Sequence, residues 1–394
     1  MDEIDALRQM RTALAEEEHP DRLALRTDWR SDGTPRRRRR GFTIPLVSVA
    51  ATAAAGTAIA LLVPGGSGDR VVPRRTVTAG NVLLVAASNA EKTPTGRYWH
   101  TETVTGTVQD VGKSAADHYT VDLRQRSISW VGPDGKRRIA IVDEGGHPMT
   151  PQDMAKWRQA GSPKMVKVPN PEGPGSVSLD MQALSNGRRA FRSYGGDYYG
   201  LTAAQVAKLP TDAKALENAL LTLKGDWHAY TSKPGKEPIR ALRGAERTRA
   251  LSDVAGTLLS QAPAPPRVRA AAFRMLATLP GVKAGGTAAD PMGRTGRVIS
   301  LPLTTTVPLG LYTAPKQLGT YQRQWIIDPA GGHLLAIRDL VATPPHGSRP
   351  LPSGDDGKPR RLEADHMPDR FHRPGEVSSY QLFAVAEWTN TSPR

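Results

Sequence analysis

Period-two alternation frames the larger part of the chain. From Arg97 to Gln109, Trp99, Thr101, Thr103, Thr105 and Thr107 fall on one face, and Tyr98, His100, Val104 and Val108 on the other. That is the pattern of a half-buried strand. His118 to Val131 continues in the same style, Pro133-Asp134-Gly135 marks a turn, and Arg138 to Val142 reads as the returning strand. Alternation resumes at Arg297–Leu303. Tyr321–Ile327 and Leu334–Val341 form a hairpin around Asp328-Pro329-Ala330-Gly331-Gly332. Val377–Trp388 is the last strand, with Val377, Gln381, Phe383 and Val385 opposite Tyr380, Leu382, Ala384 and Trp388.

Between these strands the period changes to that of a helix. Val82, Leu83, Ala86, Ala87 and Ala90 share one face of a helix starting near Thr78. Pro151–Ala160 holds a short helix, and 161–177, with four prolines, reads as a loop. Thr202 with Gln205 has the spacing of a capping box. Pro210-Thr211-Asp212 opens a helix through Leu216 and Leu220. Two more follow, near 245–261 with Leu251, Val254 and Leu258 inward, and from Pro266 with Val268, Ala272 and Met275 on one stripe. The long Pro- and Arg-rich stretch 343–376 exceeds an ordinary connection. Half-buried strands and apolar helix stripes each require a partner surface, so the expected class is α+β. The expected form is a curved, half-barrel-like antiparallel sheet with helices on one face, enclosing an apolar groove.

Hydropathy is concentrated in one place. No residue between Arg40 and Asp69 is charged, and Phe42–Val63 is an apolar run of 22 residues. About 20 helical residues cross a hydrocarbon core of roughly 30 Å, so 42–63 is expected to be a single transmembrane helix. The run exceeds the h-region of a cleaved signal peptide, and the segment before it exceeds a usual n-region. Arg36, Arg37, Arg38, Arg39 and Arg40 abut its N-terminal end, which places the N-terminus in the cytoplasm by the positive-inside rule. A topogenic role accounts for this run better than nucleic-acid binding does. The expected organisation is a cytoplasmic tail 1–40, the membrane helix within 41–64, a linker 65–76 and an extracytoplasmic domain 77–394.

Charge adds one constraint. The chain carries +15, of which the tail holds +1 and the remainder +14. An outer domain of that sign suits lipid headgroups or anionic wall polymers, although the Arg-rich, Ala/Gly/Pro-rich composition of a high-GC genome gives the same excess. The chain has no cysteine, hence neither disulfides nor thiolate chemistry. Inside the cell, Ile4, Leu7, Met10 and Leu14 recur at helical spacing in a tail too short for its own core. This stripe is the candidate contact for a cytoplasmic regulator or the membrane surface.

Catalytic patterns are missing. There is no phosphate loop, no Gly-x-Ser-x-Gly elbow and no helical Ser-x-x-Lys. The densest metal-like group is Glu363, Asp365, His366, Asp369 and His372, but Arg360, Arg361, Arg370 and Arg373 interleave it and favour a solvated loop. Tyr194, Tyr198 and Tyr199 around Gly195-Gly196 read as loop anchors before ligand contacts. No catalytic, cofactor or metal residue is therefore assigned.

Four segments carry a resemblance: Asn81–Ala87, Arg97-Tyr98-Trp99, Pro265-Pro266-Arg267-Val268-Arg269 through Leu279-Pro280-Gly281-Val282, and Trp325–Gly331. Together they resemble an actinobacterial family of single-pass membrane proteins of unknown function, over most of 1–394. Members are often encoded beside extracytoplasmic-function sigma factors, which implies a signalling association and a sigma factor as candidate tail partner. The zinc-binding His/Cys pattern of anti-sigma domains is absent. The element order also resembles the half-barrel of periplasmic lipoprotein carriers. The expected function is thus non-enzymatic envelope sensing through an outer binding domain. The alternative is a carrier or binder of lipid or anionic wall polymer.

Overall fold

A computed structural model describes residues 78–391 apart from 171–174, 183–191, 196, 228–235, 307–308, 310–316, 352 and 354–356. Among them no helix is long and apolar enough to cross a membrane. The candidate span 42–63, the tail stripe and the five-arginine run lie outside the described residues.

The fold is α+β and built on one antiparallel sheet. The elements are α1 (Ala79–Ala90), β1 (Tyr98–Gly112), β2 (His118–Val131), β3 (Lys136–Pro148), α2 (Pro151–Gln159), β4 (Met165–Pro169), β5 (Ser176–Asp180) and β6 (Arg192–Gly195). Then come α3 (Ala203–Ala207), α4 (Ala213–Leu220), the short β7 (Lys224–Gly225) and β8 (Glu237–Pro238), α5 (Gly244–Ser260) and α6 (Pro266–Thr278). The last are β9 (Lys283–Ala289), β10 (Thr295–Thr305), β11 (Thr320–Asp328), β12 (His333–Thr343), β13 (Ser348–Leu351), β14 (Arg360–Glu363) and β15 (Val377–Thr389). Nine strands form the main sheet in the order β6-β3-β2-β1-β15-β12-β11-β10-β9. An early meander and a late meander are thus joined through the last strand, which pairs with β1 on one side and β12 on the other.

Local chemistry sets the helix starts. Thr78 caps α1 by accepting from the Asn81 N–H. Thr150 with Asp153, and Thr202 with Gln205, form reciprocal capping boxes that satisfy otherwise orphaned N–H groups. Replacing Thr150 by Ala should cost about 1 kcal/mol, read from the urea midpoint, and an unchanged midpoint would remove that role.

Helices cover one face of the sheet. Leu251, Val254, Leu258, Phe273 and Leu276 interlock with Trp99, Ile299, Trp325, Ile337 and Phe383 in the principal core. The helix backbone itself reaches the sheet: a Cβ on Gly256 would lie 3.2 Å from Ile337 Cδ1 and 3.5 Å from Trp325. Under α5, therefore, there is no space for an acyl chain, and the expected apolar groove does not exist at that point. Within this core Arg269 is buried, with no carboxylate partner among the described residues. It lies over the Trp99 ring at 5.2 Å and points Nη2 at the Leu259 carbonyl, 3.4 Å away in the last turn of α5. Burial pulls its guanidinium down to about 10, and the carbonyl end of α5 is where a cation is best tolerated.

Two sequence readings change. The proline-rich 161–177 is not a plain loop, because β4 and β5 pair within it and cover Val121 and Tyr119 with Val166, Val168 and Leu179. The prolines lie at the strand ends and in the connection. Secondly, Trp388 does not oppose Phe383. A bulge shifts the β1–β15 register, from Glu102 opposite Val385 to Thr103 opposite Phe383. One extra residue flips every later side chain to the other face, so Trp388 meets Trp99 at 5.4 Å.

Candidate functional site

Residues directly opposite one another in antiparallel strands project to the same face, so the registers locate each side chain on the sheet. The helix-covered face has a second cover, the β4–β5 hairpin, farther along β1 and β2. Three cross-strand rows lie from one cover to the other. Ile141, Ser127, Thr103 and Phe383 form the first. Asp143, Gln125, Thr105, Gln381, Ile337 and Trp325 form the second. Gly146, Leu123, Thr107, Ser379, Asp339 and Arg323 form the third.

The centre of these rows is a strip of Thr105, Thr107, Gln125, Ser127, Ser379 and Gln381, all partly exposed. Apolar clusters flank it, Phe383, Trp325 and Ile337 on one side, Val121, Val166 and Leu179 on the other. Among the described residues, none of the six side chains hydrogen-bonds within the protein, and the Ser379 Oγ is a buried oxygen with no partner. Ile141, 39% exposed, adds an apolar contact at one end. Six neutral hydroxyl and amide groups, with donors and acceptors unspent, can bind polar ligand groups. Hydroxyls and amides that both donate and accept suit the recognition of polar ligand groups.

A wall of buried ionic groups borders the strip at Ser379. Arg323 donates from Nε to Asp339 Oδ1 at 2.9 Å and from Nη2 to Oδ2 at 3.0 Å, and also pairs with Asp253 of α5. The fork ties α5 to the paired strands β11 and β12 and holds the floor rigid.

The metal-like group of the sequence does not gather. Glu363 and Asp365 are exposed, whereas Asp369 and His372 turn inward. Asp110 of β1 receives the Phe371 N–H at 2.7 Å and the His372 Nδ1–H at 3.2 Å on Oδ2, while its own N–H donates to the Pro368 carbonyl. The Ser378 hydroxyl donates to Asp369 Oδ2 at 2.9 Å. This latch fastens the 343–376 excursion to the sheet. Among the described residues no three such side chains are placed to hold a metal ion. Burial pushes Asp369 up, against the opposing pull of His372 and its hydrogen bonds. For His372 burial works downward, but the hydrogen bond and charge of Asp110 outweigh it and leave the imidazole raised.

The excursion carries its own hairpin, β13 with β14. His100 stacks on Trp130 at 3.9 Å beside Glu102, on the sheet face away from the helices; burial lowers its pKa. Tyr198 is core and Tyr199 stacks on Trp227, so both anchor structure.

Compared with family models, curated proteins and solved structures, the chain matches none. The site must therefore be argued from its own groups. Of these, the Thr105–Thr107 ladder was visible in the sequence. Gln125, Ser127 and Ser379 were not, because only the strand register brings them beside it. Asp110 gave no local signal either.

Proposed function

We propose that the chain is a non-enzymatic, single-pass envelope protein whose outer domain binds a neutral, hydroxyl- and amide-rich ligand, such as the glycopeptide of a cell wall, for sensing. One observation carries the binding site: six uncharged polar side chains lie together on the helix-covered sheet face between two apolar clusters, and among the described residues none of them hydrogen-bonds within the protein. The span 42–63 and the Arg36–Arg40 run support the placement outside the cell. Ile4, Leu7, Met10 and Leu14 would carry the signal to a cytoplasmic regulator; a sigma factor is the partner that the family resemblance suggests. Nothing in the site calls for a cofactor, and nucleic acid is not among the proposed partners. The alternative, a carrier of lipid or a binder of anionic wall polymer, draws less support, because α5 rests directly on the sheet and the strip itself is uncharged.

Full-length protein in detergent, mixed with purified insoluble wall sacculi, tests the reading. Thr105→Leu with Gln381→Leu should reduce retention about tenfold, the loss of roughly one to two net hydrogen bonds, with circular dichroism unchanged. Equal retention of both proteins would contradict the strip as the site.

A further inference from the structure

The outward side of α1 lacks the character of a solvated helix surface. Its 12 residues, Ala79–Ala90, contain no charged side chain. Val82, Leu83, Ala86, Ala87 and Ala90 are buried, packing with α6 in the principal core. The opposite positions are Asn81, Leu84, Val85 and Ser88, all exposed, and Leu84 and Val85 are each 50% exposed. Two adjacent branched apolar residues at the centre of an exposed, uncharged helix face call for a partner.

The place of α1 in the chain indicates which partner. It is the first described helix, and only Pro64–Thr78 separates it from the end of the apolar run at Val63. Fifteen residues extend to at most about 50 Å. Within that tether lie Arg70, Arg74 and Arg75, with no acid after Asp69. Juxtamembrane arginines are drawn to anionic headgroups, which shortens the tether further.

We propose that α1 is a membrane-contacting helix: Leu84 and Val85 rest in the headgroup region of the same bilayer that holds the span. The contact fixes the outer domain with its helical layer toward the membrane, so the domain is held in one orientation instead of swinging on the linker. An apolar helix face lying in an interface in this way needs only a shallow insertion. The inference rests on the proposed span.

The absence of cysteine permits a direct test. Full-length Leu84→Cys, Val85→Cys and, as control, Glu387→Cys, which replaces an exposed residue paired with His100 on the sheet face away from the helices, each carry one environment-sensitive fluorophore. They are reconstituted in vesicles of phosphatidylglycerol and phosphatidylcholine containing a headgroup-spin-labelled lipid. Labels at 84 and 85 should be quenched at least threefold more than the label at 387, and adding 0.5 M salt or omitting phosphatidylglycerol should weaken the effect. Quenching at 84 and 85 no stronger than at 387 overturns the inference. A separate arm treats intact cells expressing Glu387→Cys with a membrane-impermeant thiol reagent. Labelling supports the outward reading on which the inference rests; labelling only after lysis overturns that reading, whatever the quenching shows.

Discussion

Replacing Asp339 with Ala should lower the stability of the sheet domain by about 3–5 kcal/mol, the usual cost of removing one partner from a buried ion pair. Arg323 and Asp339 are 1% and 0% exposed, and both carboxylate oxygens are engaged by the guanidinium. Without Asp339 the Arg323 charge keeps Asp253 but loses its two-pronged acceptor in a site that water does not reach. The melting temperature should fall by roughly 6–20 °C, followed by the fluorescence of the buried Trp325. Arg323→Met with Asp339→Leu removes both charges at similar volume and should recover most of the loss. If Asp339→Ala costs less than 1 kcal/mol, the fork is not what ties α5 to the floor of the strip.

Loss of the latch should be nearly as severe and, unlike the fork, should depend on pH. Asp110→Ala strips the acceptor from the Phe371 N–H and from His372, both inside the fold. The expected cost is about 2–4 kcal/mol, with the 367–373 segment becoming sensitive to protease first. His372 faces Asp110 on β1, Asp369 and Glu376 on its own segment, and Arg370 beside Asp110. Its pKa is raised above the ordinary 6.5. The folded state therefore holds this proton more tightly than the unfolded chain does. The resulting stability is complete below about 6.5 and is lost as pH rises through the folded value. Asp369, raised from 3.8, acts in the same direction over a window that opens at lower pH. His100 and His333, lowered by burial, act oppositely below 6.5, so the comparison must be with a variant. The stability gap between the native chain and His372→Gln should be widest near pH 6 and should narrow by pH 9. A gap that is constant, or that widens with pH, contradicts a charged His372 in the latch.

The sheet was legible because its strands are half-buried and alternate. Strands expected at 118–131, 321–327 and 334–341 differ from the observed ones by no more than two residues at either end. β9 was not, since Lys-Ala-Gly-Gly-Thr-Ala-Ala has no apolar rhythm and owes its conformation to pairing with β10. The β4–β5 hairpin was hidden by prolines that its two strands place at their margins. Trp388 was assigned to the wrong face because a bulge is a tertiary accommodation that leaves the residue pattern unmarked. The site was less legible for a deeper reason. Thr105, Gln125 and Gln381 become neighbours only through two strand pairings, and Asp110 meets His372 across 262 positions of chain. Local periodicity holds no information about such contacts.

The central claim is that the binding domain stands outside the cell on one membrane helix, and a topology measurement tests it most directly. A phosphatase that matures only outside the cytoplasm is fused at the C-terminus of the full chain, with a second fusion before residue 30. The account predicts an active enzyme at the C-terminal junction and an inactive one at the N-terminal junction. Activity only at the N-terminal junction, or at neither while a fluorescent cytosolic reporter at the C-terminus lights up, would contradict it.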